Sequence, residues 1–241
     1  MKRLILPWFG LALVASVVTA GAATTPANYK LIYDQNFESD KALGDFVFTD
    51  PAAWRLAREG SNGALELFGK SRYEPKDRSP FNIALLTDKV VGDFILEVEA
   101  ASTIAPYPHQ DLCFFFGFEA TNKFYYAHIA MRADPVKKES HAHDIFIVND
   151  AARLAIATET TKGVEWGQNQ WHKIRIDRTI ADGAIRVYFD DLSKPIMTAT
   201  DKTFGQGYIG VGSFDDTGKF RRIQIWSPAV EKKATAFFQK K

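Results

Sequence analysis

Hydrophobic and polar residues alternate along much of this 241-residue chain with a period of two, the spacing that sends successive side chains to opposite faces of a strand. Short β-rich runs recur, many of them with this alternation: LIYDQNF (31–37), GALELFG (63–69), NIALLTD (82–88), DFILEVEAAS (93–102), DLCFFFGFE (111–119), KFYYAHIAM (123–131), HDIFIVN (143–149) and RLAIATE (153–159). WHKIRIDR (171–178), GAIRVYFDD (183–191), PIMTAT (195–200), GYIGVGSF (207–214) and FRRIQIW (220–226) continue the series. Gly, Asp and Asn punctuate the gaps, and short strands at such regular spacing predict an all-β, two-sheet sandwich in a single domain over residues 23–228. No long amphipathic helix or internal repeat interrupts the pattern. AVEKKATAFFQKK (229–241) follows as a C-terminal tail, either a short helix or a loose end.

The first 22 residues follow a different pattern. Lys2 and Arg3 precede an apolar run from Leu4 to Val18, and small residues follow at Ala20 and Ala22. This is the layout of a signal peptide, and the run is shorter than the roughly 20 residues a membrane-spanning helix needs. The expectation is export to the periplasm or medium, with no membrane anchor after cleavage.

Composition narrows the function. The chain has 30 basic and 29 acidic residues, 46% apolar and 13% aromatic residues. Such balance excludes a disordered chain and argues against nucleic acid as a partner, since nucleic-acid binders carry a basic excess. A monomer is expected. The single cysteine, Cys113, forms no intrachain disulfide. Nineteen Phe are present, and four of the five His fall between positions 109 and 143.

The alternation also predicts facing. In 111–119, Leu112, Phe114, Phe116 and Phe118 read as the core face, leaving Asp111, Cys113 and Phe115 opposite. In 123–132, Phe124, Tyr126 and His128 oppose Tyr125, Ala127 and Ile129, and Arg132 continues the outer set. In 93–102, Phe94, Leu96 and Val98 read as core, with Glu97 and Glu99 pointing away. If these strands and 143–149 are neighbours in one sheet, their outer faces form a cleft of carboxylates, imidazole, phenol, guanidinium and exposed rings. A sugar, with polar hydroxyls and apolar ring faces, suits that mixture.

DFxLExE at 93–99, then WHKIRIDR, GAIRVYFDD and GYIGVGSFDDTGKF, resemble the concanavalin A-like lectin/glucanase superfamily, nearest to bacterial 3-keto-disaccharide hydrolase and laminin-G-like domains. The resemblance runs from about 31 to 226 and implies a jelly-roll sandwich with one concave, carbohydrate-binding sheet. The glucanase Glu-x-Asp-x-Glu motif is absent, since LEVEA keeps only a Glu-x-Glu spacing.

The candidate chemistry follows. Tyr126 and His128 are suited to taking and returning a proton, with His109, Asp111 or Glu97 as acid, base or orienting group. Arg78, Glu99, Arg132 and His143 would hold substrate groups, and Phe115 or Phe124 would stack on a sugar ring. The expected activity is cleavage of a glycosidic linkage, by hydrolysis (a glycosidase) or by β-elimination (a lyase). The alternative is a non-catalytic, lectin-like glycan-binding module of the cell envelope. The resemblance further implies a structural calcium, placed on Asp215 or Asp216 with carbonyls near residues 36–38. His141-x-His143 is a weaker metal spacing.

Overall fold

The computed structural model describes residues 24–60, 62–132, 143–235 and 237–238. The expected signal peptide and His141 lie outside the described residues. The strands are β1 Lys30–Gln35, β2 Phe46–Phe48, β3 Trp54–Glu59, β4 Asn62–Leu67, β5 Asn82–Val91, β6 Phe94–Ser102, β7 Asp111–Ala120, β8 Lys123–Ala130 and β9 Asp144–Asn149. They continue with β10 Leu154–Ala155, β11 Ala157–Thr160, β12 His172–Thr179, β13 Ala184–Phe189, β14 Met197–Thr200, β15 Gly207–Ser213, β16 Gly218–Ser227 and β17 Glu231–Lys232. Two 3-10 turns flank β2.

The strands form two antiparallel sheets, so the all-β sandwich expected from the alternation is the observed architecture. The first sheet has the order β11-β14-β13-β12-β6-β16-β4-β3, with β1 also on β16. The second has the order β10-β9-β8-β7-β15-β5-β17, with β2 also on β5. Between them lies a core that includes Leu96, Val98, Phe114, Phe116, Tyr125, Ile129, Ile174, Ile176, Phe220 and Ile225. Each fully buried ring or branched aliphatic there contributes about 1.5–3 kcal/mol through removal from water.

This topology corrects the single-cleft expectation. β6 lies in the first sheet, between β12 and β16, whereas β7, β8 and β9 lie in the second. Glu97 and Glu99 therefore project from the opposite side of the sandwich to His128. The 111–119 pattern also needs revision at one position. Gly117 has φ +54°, and the β7 pairing with both β8 and β15 shifts register nearby. A left-handed residue in a strand inserts a bulge that resets the alternation. Phe118 thus joins Phe115 and Phe124 in a second apolar cluster on the outer side of the sheet, not the inter-sheet core.

The tail has defined structure over its described residues. β17 pairs with β5 at the sheet edge, and Tyr208 donates from its hydroxyl to Lys233 O at 3.0 Å. Phe237 and Phe238 then lie over Phe118, with ring centroids 5.5 and 6.0 Å away.

Candidate functional site

One end of the second sheet's outer face builds a pocket. In the β7–β8 ladder Cys113 is directly opposite His128, and Asp111 is two residues before Cys113 on the same face. Register alone brings the three side chains together. His128 Nε2 lies 3.5 Å from Asp111 Oδ1, and both groups are buried. The Phe214 N–H and the Ser213 hydroxyl also donate to Asp111 Oδ1, at 3.1 and 3.2 Å. Burial alone would raise the Asp111 carboxyl, but the His128 charge and these donors outweigh it and hold it below its ordinary value.

Asp216 braces this arrangement from behind. It accepts from the Tyr107 hydroxyl at 2.6 Å and from the Asp111 N–H at 2.9 Å. Burial, then the neighbouring Asp111 charge, push its carboxyl up to about 7. Burial and Asp216 likewise push the Tyr107 phenol up. Buried Gln110 holds the preceding loop, donating from Nε2 to Ser102 Oγ, Ile104 O and Gly167 O.

Four loops close the walls, one of them the β9–β10 turn that carries Arg153. Arg78 and Phe81 come from the segment before β5, Tyr107 and His109 from the turn before β7, and Phe214 and Asp215 from the turn after β15. Backbone bonds link them: Arg153 N–H donates to Arg78 O, and Phe81 N–H donates to Phe214 O. The Arg153 guanidinium lies 4.5 Å from the Phe146 ring centre and 4.6 Å from that of Phe214, and its Nη1 donates to the Tyr126 hydroxyl at 3.0 Å. Phe81 meets Phe214 edge-on at 5.0 Å. The cavity so enclosed has a volume of about 420 Å³, within the usual range for small-molecule sites.

Five residues singled out in the sequence converge here: Arg78, His109, Asp111, His128 and Asp215. His109 belongs to the turn before β7 rather than to the strand, and its ring meets Tyr107 edge-on at 6.0 Å. The others are placed differently. Glu97 pairs with Lys173 and Arg175, and Glu99 with Arg221 and Arg222, all on the other sheet. Phe115 and Phe124 are fully buried and packed on each other, so neither offers a face to a sugar. Tyr126 is also fully buried, its hydroxyl bonded to Arg153 and its ionisation suppressed by burial.

Arg132 is exposed beyond the end of β8 and does not line the pocket. His143 is buried, accepts the Ala130 N–H at Nδ1 and faces Thr161 Oγ1 at Nε2. Burial, then the His128 charge, lower it to about 4, which keeps its ring neutral. Asp215 and Asp216 join Asp111, with carboxylate oxygens within 4.8 Å of one another, rather than the carbonyls at 36–38. Phe37 O accepts from Arg58 instead. Asp216 already accepts at both oxygens, a role that requires no calcium.

Arg153, Tyr107, Phe81 and Phe214 were not anticipated. Their only sequence signal is position beside turns that flank His109, Asp111 and Asp215.

The two-sheet architecture has counterparts among solved structures. The fold is the concanavalin A-like jelly roll. A carbohydrate-binding module from Bacillus subtilis superposes with a TM-score of 0.53 at 15% identity, over 76% of this chain and 96% of that one. A protein of unknown function with a galectin-like fold, also from Bacillus subtilis, gives 0.53 at 11% identity over 85% and 100%. A glycosyl hydrolase described as putative, from Parabacteroides distasonis, gives 0.52 at 14% identity over 83% and 98%. At these identities the likeness is one of fold, and function is argued from the site. No protein-family model matches the chain, and no curated protein sequence matches it.

Proposed function

We propose that this is an exported jelly-roll protein that binds carbohydrate, taking a sugar residue into the pocket floored by Asp111 and His128. The observation that carries the reading is the enclosure of two guanidinium groups, a carboxylate–imidazole pair and the rings of Phe81, Tyr107 and Phe214 in one cavity of about 420 Å³. Charged donors and acceptors fixed by their own hydrogen bonds suit hydroxyls, and ring edges suit the apolar face of a pyranose. Asp111 and His128 read hydroxyls at the floor, while Arg78, His109 and Arg153 contact the ligand from the walls. The carbohydrate-binding module and the galectin-like protein of the same fold support this reading, as does the N-terminal pattern of a signal peptide for export.

Cleavage of a glycosidic linkage is the second reading. It is favoured by the Asp111–His128 pair with Asp215 within 4.8 Å of Asp111, because paired titratable groups at a pocket floor are the usual arrangement for acid–base work.

One experiment decides between them. The purified protein is titrated calorimetrically with a panel of oligosaccharides, with and without EDTA, and the same mixtures are assayed for new reducing ends and for absorbance at 235 nm. Saturable binding that Arg153→Leu and His109→Ala each weaken at least about tenfold, with no new ends, supports a binding module. New reducing ends alone mean hydrolysis, and both signals together mean elimination. No binding and no turnover across the panel overturns the carbohydrate reading.

A further inference from the structure

Asp111 and His128 at the pocket floor, with Cys113 beside them, place an oxygen, a sulfur and a nitrogen within 4.8 Å of one another. All three residues are at most 2% exposed. Asp111 Oδ1 lies 3.5 Å from His128 Nε2 and 3.6 Å from Cys113 Sγ. Bond lengths around tetrahedral zinc imply ligand–ligand edges of about 3.3 Å for nitrogen to oxygen and about 3.5 Å for sulfur to oxygen. The two edges from Asp111 therefore already stand near those of a zinc tetrahedron, and the third, between Cys113 and His128, is within 4.8 Å.

We propose that Asp111, Cys113 and His128 form a site for a tetrahedral transition-metal ion of the Zn²⁺ class, with its fourth position open to the pocket. Asp111 and His128 line that pocket, which supplies the entry path. The Phe214 N–H and Ser213 hydroxyl orient the carboxylate from outside, as second-layer donors do in built metal sites. Sulfur and imidazole ligands select zinc-like ions over calcium or magnesium, which require several oxygens. Without the ion, the Cys113 S–H points its proton at Asp111 Oδ1. On binding, that proton leaves to solvent and the thiolate takes its place as a ligand, while His128 ligates through an unprotonated Nε2 and any proton held there also leaves to solvent, so at least one proton is released per ion. The inference does not rest on the carbohydrate reading and is tested without any glycan.

The test uses Co²⁺ as a spectroscopic probe on the untagged protein. Cys113 is the only thiol in the chain, so a thiolate-to-metal charge-transfer band can come from no other residue. The expected result is one Co²⁺ per chain, with that near-ultraviolet band and visible bands of tetrahedral strength, all bleached by equimolar Zn²⁺. Cys113→Ser should abolish the charge-transfer band, and His128→Asn should weaken Zn²⁺ binding about tenfold or more in a chelator competition. Absence of the band at stoichiometric Co²⁺ overturns the proposal. So does Zn²⁺ binding that Cys113→Ser leaves unchanged, which would put the ion on other residues. Should either variant fail to fold, the wild-type spectrum alone decides.

Discussion

The outer faces of the two sheets arise from the same alternating pattern and are finished in opposite ways. On the first sheet, Glu97, Glu99, Lys173, Arg175, Asp177 and Arg221 interlock as ion pairs at 2.7 to 3.2 Å. Arg221 also lies over the Trp171 ring at 4.0 Å. Charges there are answered by charges next door, and most remain within reach of water. On the second sheet, the outward positions hold Cys113, Phe115, Phe118, Phe124, Tyr126 and His128. Phe237 and Phe238 of the tail, and Phe214, cover that surface. The result is a second apolar layer with a few buried polar groups at one end. An ion lattice is tolerant and chemically quiet. A covered aromatic sheet holds its remaining polar groups in low dielectric, where their protonation and affinity for a ligand are set by few neighbours.

The sharpest way to break this contrast is to shorten a ring on the covered face. Phe124→Ala should destabilise the fold by about 3–5 kcal/mol in urea titration, as if it were in the central core. A loss near 1 kcal/mol would mean that the outer cluster is not a true core. The next effect is in pH. His143 is neutral when folded, at about 4 against an ordinary 6.5. Its contribution is therefore complete above pH 6.5 and lost as pH falls toward 4, by about 3 kcal/mol in total. Asp216, raised to about 7 from 3.8, has the opposite sign, with its contribution lost as pH rises from 3.8 through 7. Melting curves across this range should show His143→Gln gaining on the wild type toward acid, and Asp216→Asn gaining toward neutral pH. Parallel profiles would overturn both assignments.

Removing the half-buried tail rings, Phe237→Ala with Phe238→Ala, should cost about 2 kcal/mol and increase binding of an environment-sensitive apolar dye. Unchanged dye binding would show that the tail does not cover the face. The smallest effect belongs to the first sheet. Glu99→Gln should change stability by about 1 kcal/mol or less, with the difference shrinking in high salt.

Much of the fold was readable because strand alternation is a local property. Each of the thirteen β-rich runs quoted from the sequence overlaps an observed strand, and the opposite facing of Phe114 and Phe115 or of Tyr125 and Tyr126 follows directly from the period. The site was legible in part for the same reason, since His109, Asp111 and His128 flank or share one face of a hairpin. Phe118 was misassigned because the bulge at Gly117 depends on how β15 packs against β7. Arg153 and Phe214 were invisible because loops distant in sequence carry them to the pocket.

The amino-acid sequence by itself determined the all-β class, most of the strands, which side chains share a face within each strand, and the grouping of histidine and carboxylate at one hairpin. Tertiary structure alone decided which sheet each strand joined. An alternating strand satisfies its own pattern in either sheet, so nothing local told β6 to pair with β12 and β16 instead of β7. That choice rests on non-local burial of two apolar faces against each other, and it separated Glu97 and Glu99 from His128 by the full thickness of the sandwich.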